Sequence, residues 1–248
     1  MSGHSKWSTI KRKKGANDAK RGKMFTKVLK EISVAAKEGG GEVETNPRLR
    51  LAVQNAKGIN MPKDNIERAI KKATGADATS YIETTYEGYG PNAVAVFVEC
   101  TTDNLNRTVS NVRALFSKYG GSLGTNGSLE FIFDRKGVFT LPVPEAMDMD
   151  ELSLELIDAG AEDMEESDGY VNITSAMEDF GNVQKKLDEL NLEAESAELQ
   201  RIPNTLVDLP DENFTSVMKL IDMLEDDDDV QKVYHNIDIS ESQMELID

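Results

Sequence analysis

The order of helix-like and strand-like segments after residue 80 is the feature that most limits the fold. Residues 137–202 alternate as strand, helix, two strands joined by an Asp168-Gly169 turn, helix and strand. That βαββαβ order is a complete ferredoxin-like unit. The preceding segment, 81–134, has only a ββαβ order, and residues 211–237 can supply the missing helix and last strand. The sequence therefore predicts that one ferredoxin-like unit is inserted into another.

The segment before the insertion contains one strongly apolar strand. Residues 93–100 form a near-continuous apolar run, which is typical of a central strand, and helical spacing follows at 105–119. A glycine-rich loop, GGSLGTNGS at 120–128, separates this helix from LEFIFD at 129–134, which we expect to form the next strand. The amides of the loop could hold an anion, although the composition favours a mobile connection.

Residues before position 76 show helical periodicity only. Apolar residues recur at helical spacing in three runs that begin near Asp18, Pro47 and Pro62, and glycines stop each run. Three short amphipathic helices of this kind predict a small bundle.

These patterns together predict an α+β chain, with an N-terminal three-helix bundle followed by two ferredoxin-like α/β domains, the third domain inserted in the second. The predicted boundaries are 1–78 for the basic three-helix domain, 79–135 plus 205–240 for the ferredoxin-like domain, and 136–204 for the inserted acidic domain. Two domains in simple succession, followed by an irregular tail, are the alternative.

Charge is divided unevenly along the chain, whose net charge is -17. Residues 1–75 hold 18 lysines and arginines against 7 acids, whereas residues 76–248 hold 10 against 38. Such asymmetry indicates a basic module for a polyanion, attached to an acidic body.

Cations are densest near the N-terminus, where the block Lys11–Lys14 precedes the first helix and that helix carries lysines opposite its apolar face. Neutralised phosphates release counterions, so about six contacts would weaken binding roughly a thousandfold between 50 and 200 mM salt. A merely solvated helix face is the alternative. The predicted nucleic-acid contacts are Lys6, Trp7, Lys11, Arg12, Lys13, Lys14, Lys20, Arg21, Lys23 and Lys27.

Base-specific recognition has weaker support. The connector at 58–61 has a length suited to a helix-turn-helix and basic residues decorate the third helix, but any three-helix bundle has such a connector. Trp7 and Phe25 are the two aromatic residues of the basic module, too few for a platform that stacks several bases. Residues 145–248 carry 31 acids against 5 bases and would repel phosphate.

Catalytic chemistry has few candidates. Two histidines and one cysteine are too few for an evident nucleophilic triad or zinc site, so we predict no catalytic residue, metal or cofactor. Gly15 and Gly22 are too far apart for a phosphate loop. The run Glu225–Asp229 lacks the alternating spacing of a calcium loop and predicts a solvated turn. Cys100 lies in an apolar run, and we expect a buried, reduced thiol.

No apolar run approaches the roughly 18 residues that cross a bilayer, and the first segment lacks the apolar middle of a secretory signal. We therefore expect a cytoplasmic monomer with no membrane contact and no small-molecule substrate. A mitochondrial presequence is the alternative explanation of the basic N-terminus.

Several motifs resemble the YebC family, which includes bacterial regulators and the mitochondrial translational activator of cytochrome oxidase subunit one. The resemblance covers nearly the whole chain, through GHSKW at 3–7, AAKEGGG at 35–41, NPRLR at 46–50, YEGYGP at 86–91, TTDNLNRT at 101–108 and GGSLGTNGS at 120–128. PNA at 91–93 departs from the proline and two glycines that are usual in the family.

The resemblance implies a three-domain cytoplasmic protein that regulates transcription by binding DNA. Some members look like translation factors that act at the ribosome on stalled proline-rich synthesis, which makes ribosomal RNA the alternative polyanion. Arg107 belongs to the TTDNLNRT motif and is a candidate second contact, with an exposed helix charge as its alternative role.

We therefore expect a non-enzymatic, nucleic-acid-binding regulator of gene expression. A DNA-binding transcriptional regulator is the first hypothesis, a ribosome-associated translation factor is the alternative, and a metal-dependent enzyme comes third.

Overall fold

The computed structural model describes residues 18–76, 78–144 and 147–246. The first part is helical, and the remainder of the described chain forms two four-stranded antiparallel sheets with helices, together with a short two-stranded parallel sheet. No helix within these residues is long and apolar enough to cross a membrane.

The elements follow one another in four groups. The N-terminal group is α1 (Asp18–Gly39), α2 (Pro47–Gly58) and α3 (Lys63–Ala73). The second group is β1 (Ile82–Tyr89), β2 (Ala95–Thr102), α4 (Leu105–Lys118) and β3 (Ser122–Leu123). The third group is β4 (Phe133–Pro142), α5 (Met149–Asp158), β5 (Ala161–Ser167), β6 (Tyr170–Ala176), α6 (Phe180–Glu189) and β7 (Ser196–Pro203). The last group is β8 (Val207–Asp208), α7 (Asp211–Glu225), β9 (Val230–His235), β10 (Ile237–Asp238) and α8 (Glu241–Met244).

The three N-terminal helices pack as the predicted bundle around small and aliphatic side chains, among them Ile32 of α1 and Leu49 of α2. Asn46 fixes the turn between α1 and α2. Its side-chain oxygen accepts a hydrogen bond from the Leu49 amide at 3.1 Å, and its side-chain amide donates to the carbonyls of Ala35 and Gly40 at 2.8 Å each. Asn46 is therefore the N-cap of α2, and Pro47 follows it at the first helical position.

The inserted sheet has the strand order β5-β6-β4-β7, in which every adjacent pair is antiparallel. With β4 as its first strand, this is the ferredoxin-like order that the βαββαβ pattern predicts. The hairpin between β5 and β6 turns at Asp168 and Gly169, whose φ angles of 51° and 78° are the left-handed values that a type I′ turn requires.

The other sheet has the order β3-β1-β2-β9 and surrounds the insertion in the sequence. Read from β9, this is again the ferredoxin-like arrangement, because β9 and β1 lie on either side of β2 and β3 lies outside β1. In this comparison β2 takes the place of the first strand of a ferredoxin-like unit, and β1 takes the place of the third strand, which normally lies beside it. Here β1 precedes β2 in the chain instead of following β3. The second domain is thus a permuted ferredoxin-like unit, and the third domain is inserted between β3 and α7.

Strand β2 is central and buried on both faces, as its apolar run predicts. Val96 and Val98 belong to the core formed with α4 and α7, while Ala95 and Phe97 on the opposite face pack in a second cluster with Leu129 and its neighbours. Successive side chains of a strand point to opposite faces, so burial of both faces requires the continuous apolar run.

The strand predicted at 129–134 is wrong for most of its length. Leu129 to Ile132 form turns, and β4 begins only at Phe133. Leu129 and Ile132 are buried against the back of the sheet, which explains their apolar character without strand pairing. The edge position beside β1 is instead taken by the two residues of β3, which lie within the glycine-rich loop.

The glycine-rich loop is held by an internal carboxylate. Glu87 of β1 is buried, and its two side-chain oxygens accept hydrogen bonds from the amides of Gly127 and Leu129 at 2.7 Å each. The loop does cradle an anion through its amides, but that anion belongs to the same chain. The expectation of a mobile connection is therefore wrong at this end of the loop.

The basic bundle packs directly onto the inserted sheet. The Asn55 side-chain amide of α2 donates to the Ala197 carbonyl and accepts from the Ala197 amide, both at 3.0 Å, so it pairs with β7 as a neighbouring strand would. At Gly58 a Cβ would lie 1.9 Å from the Glu195 carbonyl oxygen, so glycine is needed for this close approach.

The two sheets are joined by a charged contact. Arg201 of β7 donates to the Glu99 carboxylate of β2 at 3.1 Å, and its guanidinium lies 3.8 Å from the centroid of the Phe97 ring. Lys232 of β9 pairs with Glu198 of β7 beside this contact. Burial alone would lower the pKa of Lys232, but the nearby carboxylate of Glu198 outweighs burial and the pKa lies well above its usual value. Specific polar pairs therefore join the bundle to the inserted sheet and the inserted sheet to the other sheet.

The substitution Glu87→Gln should loosen the glycine-rich loop, because one of the two amides then faces a donor instead of an acceptor. We expect a loss of about 2 kcal/mol, the usual value for hydrogen bonds to a charged group. Amide hydrogen exchange should become faster at Gly127 and Leu129. Glu130→Gln, an exposed change in the same loop, is the matched control, and equal protection of those amides in both variants would contradict the assignment.

Candidate nucleic-acid interface

The predicted contact residues fall into three groups in the structure. All predicted contacts upstream of α1 lie outside the described residues, as does the side chain of the first predicted lysine of α1. These residues are Lys6, Trp7, Lys11, Arg12, Lys13, Lys14 and Lys20. Arg21, Lys23 and Lys27 lie on α1, and Arg107 lies in the first turn of α4.

Arg21 is exposed to solvent on α1. Its guanidinium lies 5.7 Å from the centroid of the Phe25 ring, one turn along the same helix. This cation–π contact positions the guanidinium without burying its charge. Arg21 is therefore available to an external anion in the described conformation.

The next lysines of α1 face an acidic segment of the same chain, Glu225–Asp229, which we call the acidic turn. Lys23 Nζ lies 2.8 Å from Asp226 Oδ1, and Lys27 Nζ donates to the Glu225 carbonyl at 2.7 Å. Lys30, one turn further along α1, donates to the Asp228 carbonyl at 2.6 Å. The basic face of α1 is therefore packed against the acidic turn.

The backbone of α7 explains why lysines lie here. The last carbonyls of a helix have no partner within the helix, and the aligned peptide dipoles place partial negative charge at this end. The acidic turn contains the last residue of α7 and the four residues that follow it. Carboxylates and free carbonyls thus form one negative surface, and lysines spaced by three or four residues on α1 match it.

Asp229 is the centre of this contact. Its side chain is only 6% exposed and accepts hydrogen bonds from Arg107 Nε at 3.0 Å, Arg107 Nη2 at 2.7 Å and Thr108 Oγ1 at 2.9 Å. Lys30 Nζ lies 3.2 Å from its other oxygen, and the Lys30 side chain is 12% exposed. One carboxylate therefore joins the basic bundle to α4 and to the strand that follows the acidic turn.

The environment stabilises the ionised form of Asp229. Burial alone would raise its pKa, but hydrogen bonds from Arg107, then from Thr108 and Lys30, outweigh burial and lower the pKa below its usual value. The carboxylate is therefore charged throughout the neutral range, which is the form that both cations require.

The expectation that 225–229 is a solvated turn is wrong at its last residue. Asp228 is exposed, but Asp229 is buried and bonded by groups from two helices. The neighbouring carboxylates have separate partners: Asp227 accepts from Asn111 at 3.1 Å, and Asp226 pairs with Lys23. Among the residues that the structure describes, no group of histidine, cysteine and acidic side chains could hold a metal ion.

Three residues of this contact were not predicted from the sequence, namely Lys30, Thr108 and Asp229. The available signal was the shared spacing of lysines on α1 and the single dense acidic run late in the chain. Complementary charges alone do not specify which segments meet, since contact between residues about 200 positions apart depends on the topology.

Arg107 has two carboxylate partners in the structure. In addition to Asp229 it pairs with Asp103 at 2.8 Å, one turn earlier in the chain, and its side chain is 47% exposed. The assignment of Arg107, Lys23 and Lys27 to a nucleic acid stays a prediction. A phosphate at any of these positions would have to compete with a carboxylate or carbonyl that is already bound.

Cys100 lies beneath the acidic turn and is buried, as predicted. Burial, followed by the nearby carboxylates of Asp227 and Asp229, raises the pKa of its thiol to about 12. The thiol is therefore protonated at neutral pH and is a poor nucleophile.

A basic helical bundle that packs on two acidic ferredoxin-like domains defines an α+β protein built from separate modules. Two family profiles match the chain in this order: the TACO1/YebC protein N-terminal domain over residues 5–76, and the TACO1/YebC second and third domain over residues 81–237. The chain belongs to the TACO1/YebC family.

Relatives match it over nearly their full length. A protein of Amoebophilus asiaticus named "Probable transcriptional regulatory protein" is 59% identical over 96% of this chain and 98% of its own. A protein of Geobacter sp. with the same description is 54% identical over 99% of both chains. The crystal structure of a conserved hypothetical protein from Aquifex aeolicus superposes with a TM-score of 0.81 at 42% identity, covering 90% of this chain and 93% of that one.

The substitution Asp229→Asn removes the charge that Lys30 and Arg107 share. We expect the free energy of unfolding at pH 7 to fall by about 2 kcal/mol, somewhat less than the usual loss for breaking a fully buried pair, because water reaches part of this one. The folded-state pKa of Asp229 lies below its unfolded value. The stabilisation is therefore fully present above the unfolded pKa, near 4, and is lost as the pH falls through the folded pKa.

Urea unfolding of wild type and variant from pH 7 down to pH 3 measures both effects, and the difference between them should shrink at the acidic end. Asp228→Asn is the matched control, because it changes the charge equally at an exposed neighbour. Its effect should stay within about 0.5 kcal/mol. Equal effects of the two substitutions would show that Asp229 has no special role.

Proposed function

We propose that this protein is a non-enzymatic regulator of transcription that binds DNA through its basic N-terminal domain. The observation that carries the proposal is the separation of charge: residues 1–75 hold 18 cations against 7 acids, and the family's N-terminal domain profile matches residues 5–76. The relatives' shared description as probable transcriptional regulatory proteins supports the same role.

The proposed contacts are made to phosphates. The segment upstream of α1 supplies most of them, through Lys6, Lys11, Arg12, Lys13 and Lys14, and Lys20 and Arg21 of α1 add to them. Trp7 is a further proposed contact to the nucleic acid in the same segment. Each neutralised phosphate releases condensed counterions, which drives binding and makes it depend steeply on salt. Contacts of this kind position the protein without selecting a sequence.

The acidic body limits how DNA can lie on the protein. Residues 76–248 hold 38 acids against 10 cations, so they repel phosphate within a screening length of about 8 to 10 Å. DNA is thereby directed towards the bundle and away from the two sheets. In this proposal the protein acts as a cytoplasmic monomer and needs no cofactor, metal or small-molecule substrate.

The test replaces the block Lys11–Lys14 by four glutamines in the full-length protein. At 150 mM KCl, affinity for a labelled 20-bp duplex should fall by at least a hundredfold, and the slope of log affinity against log salt should drop by about 3 to 4, since four phosphate contacts are lost. Fluorescence anisotropy over a salt series measures both quantities.

A matched control also removes four positive charges, but from exposed positions of the second and third domains: Lys118, Arg135, Lys185 and Lys219. Affinity should stay within about threefold of wild type, because these residues lie in the acidic part of the chain. Equal losses in both variants would mean that net charge, and not the N-terminal block, governs binding.

Ribosomal RNA is the alternative partner, and sedimentation with purified ribosomes distinguishes it from DNA. If the wild-type protein sediments with ribosomes and the Lys11–Lys14 variant does not, while duplex binding is weak and equal in both, the protein is a ribosome-associated translation factor. The DNA-binding regulator is supported if duplex binding is strong, depends on the Lys11–Lys14 block and is unaffected by added ribosomes.

A further inference from the structure

The outer face of α3 carries three cations, Arg68, Lys71 and Lys72, which we call the α3 cation face. Residues spaced by three and four positions are neighbours on a helix surface, so the three side chains form one cluster. All three are exposed.

The packing of α3 directs this cluster away from the rest of the protein. Ile66 and Ala73 are buried in the bundle core, and at 100° per residue they lie nearly opposite the three cations. The main packing partner of α3 is α1. The α3 cation face therefore points outward from the bundle.

No cation of the α3 cation face has a direct partner among the described residues, although Asp64 and Glu67 lie one turn before Arg68 and Lys71. Across residues 18–76, 78–144 and 147–246, the structure gives none of the three an ion pair or a hydrogen bond through its side chain, whereas Lys63 of the same helix lies 3.4 Å from Glu67. The dipole of α3 accounts for cations in its last turn, where Lys71 and Lys72 lie, but Arg68 lies one turn earlier. Like charges at this spacing also repel one another.

The lysines of α1 are in the opposite situation. Lys23, Lys27 and Lys30 bind the acidic turn, so an incoming phosphate would have to displace carboxylates or carbonyls from them. A phosphate that approaches α3 breaks no contact of this kind. The structure thus separates cations that hold the domains together from cations that remain available.

We infer that the α3 cation face is a second phosphate-binding surface for the DNA that the N-terminal segment binds; this inference rests on the proposed function and extends its interface. From Arg68 to Lys72 the helix rises about 6 Å, at 1.5 Å per residue. Phosphates of one DNA strand succeed one another about every 3.4 Å along the axis, so the face spans about two of them. Because the contacts are to phosphate, they act equally on every sequence.

The test compares two triple variants of the full-length protein that remove the same charge: Arg68→Gln with Lys71→Gln and Lys72→Gln, and Lys23→Gln with Lys27→Gln and Lys30→Gln. Affinity for two unrelated 20-bp duplexes is measured by anisotropy from 50 to 200 mM KCl. Circular dichroism at the same temperature establishes that each variant is folded. The single variant Lys23→Gln replaces the α1 triple variant if that one unfolds, because Lys23 is the more exposed member.

The α3 triple variant should lose about thirtyfold in affinity at 150 mM KCl and about 2 in salt slope, equally for both duplexes. The α1 variant should lose less affinity than the α3 variant, because the acidic turn already binds its three lysines, and its thermal midpoint should fall. An α3 variant within threefold of wild type, or an α1 variant that loses as much as the α3 variant, overturns the inference.

The Lys11–Lys14 variant, measured beside them, separates this inference from the proposed function. If the Lys11–Lys14 variant loses binding and the α3 variant does not, the inference is overturned and the proposed function stays intact. Loss in the α3 variant alone supports the α3 surface and contradicts the upstream contacts. A wild-type protein that binds neither duplex overturns both.

Discussion

The contact between the basic bundle and the second domain depends on one buried carboxylate. Asp229 binds Lys30 of the basic bundle and Arg107 of the second domain at the same time. Two cations that approach each other repel unless an anion lies between them. The ionised carboxylate makes their approach favourable, and the hydroxyl of Thr108 satisfies it further. The packing of the bundle against the second domain therefore depends on this charge.

The composition of residues 1–75 thus suggests a larger basic surface than the structure leaves exposed to an external anion. Residues 1–75 have many more cations than acids, but a series of lysines on α1 is engaged with the acidic turn, and Arg48 of α2 pairs with Glu38 and Glu83. Cations on the outer part of the bundle, such as Arg21 and Arg68, remain exposed to solvent. Net charge alone does not distinguish these exposed cations from the cations that bind carboxylates of the same chain.

Most of the fold could be predicted because its signals are local. The apolar run of β2, the Asp168-Gly169 turn and the Asn46 cap each determine their structure through neighbours in the sequence. The strand predicted at 129–134 was wrong because Leu129 owes its apolar character to burial under a turn that Glu87 holds. The small sheet of β8 and β10 was missed, since two-residue strands carry no periodicity.

The candidate site was harder to predict for the same physical reason. Lysines with helical spacing are compatible with solvent, with phosphate or with a protein carboxylate, and the sequence does not distinguish these partners. The contact between α1 and the acidic turn joins residues that the topology alone brings together. The TTDNLNRT motif pointed to Arg107, but its partner Asp229 lies on a turn with no motif of its own.

The separation of about 200 residues between Lys23 and Asp226 has a consequence for the newly made chain. At 5 to 20 residues per second, the ribosome needs about 10 to 40 s to synthesise the acidic turn after α1 has been made. During that interval the lysines of the nascent bundle have no acidic turn to bind. The same separation leaves the second domain incomplete until the inserted domain has been translated, so α7 and β9 finish the assembly at the end of synthesis.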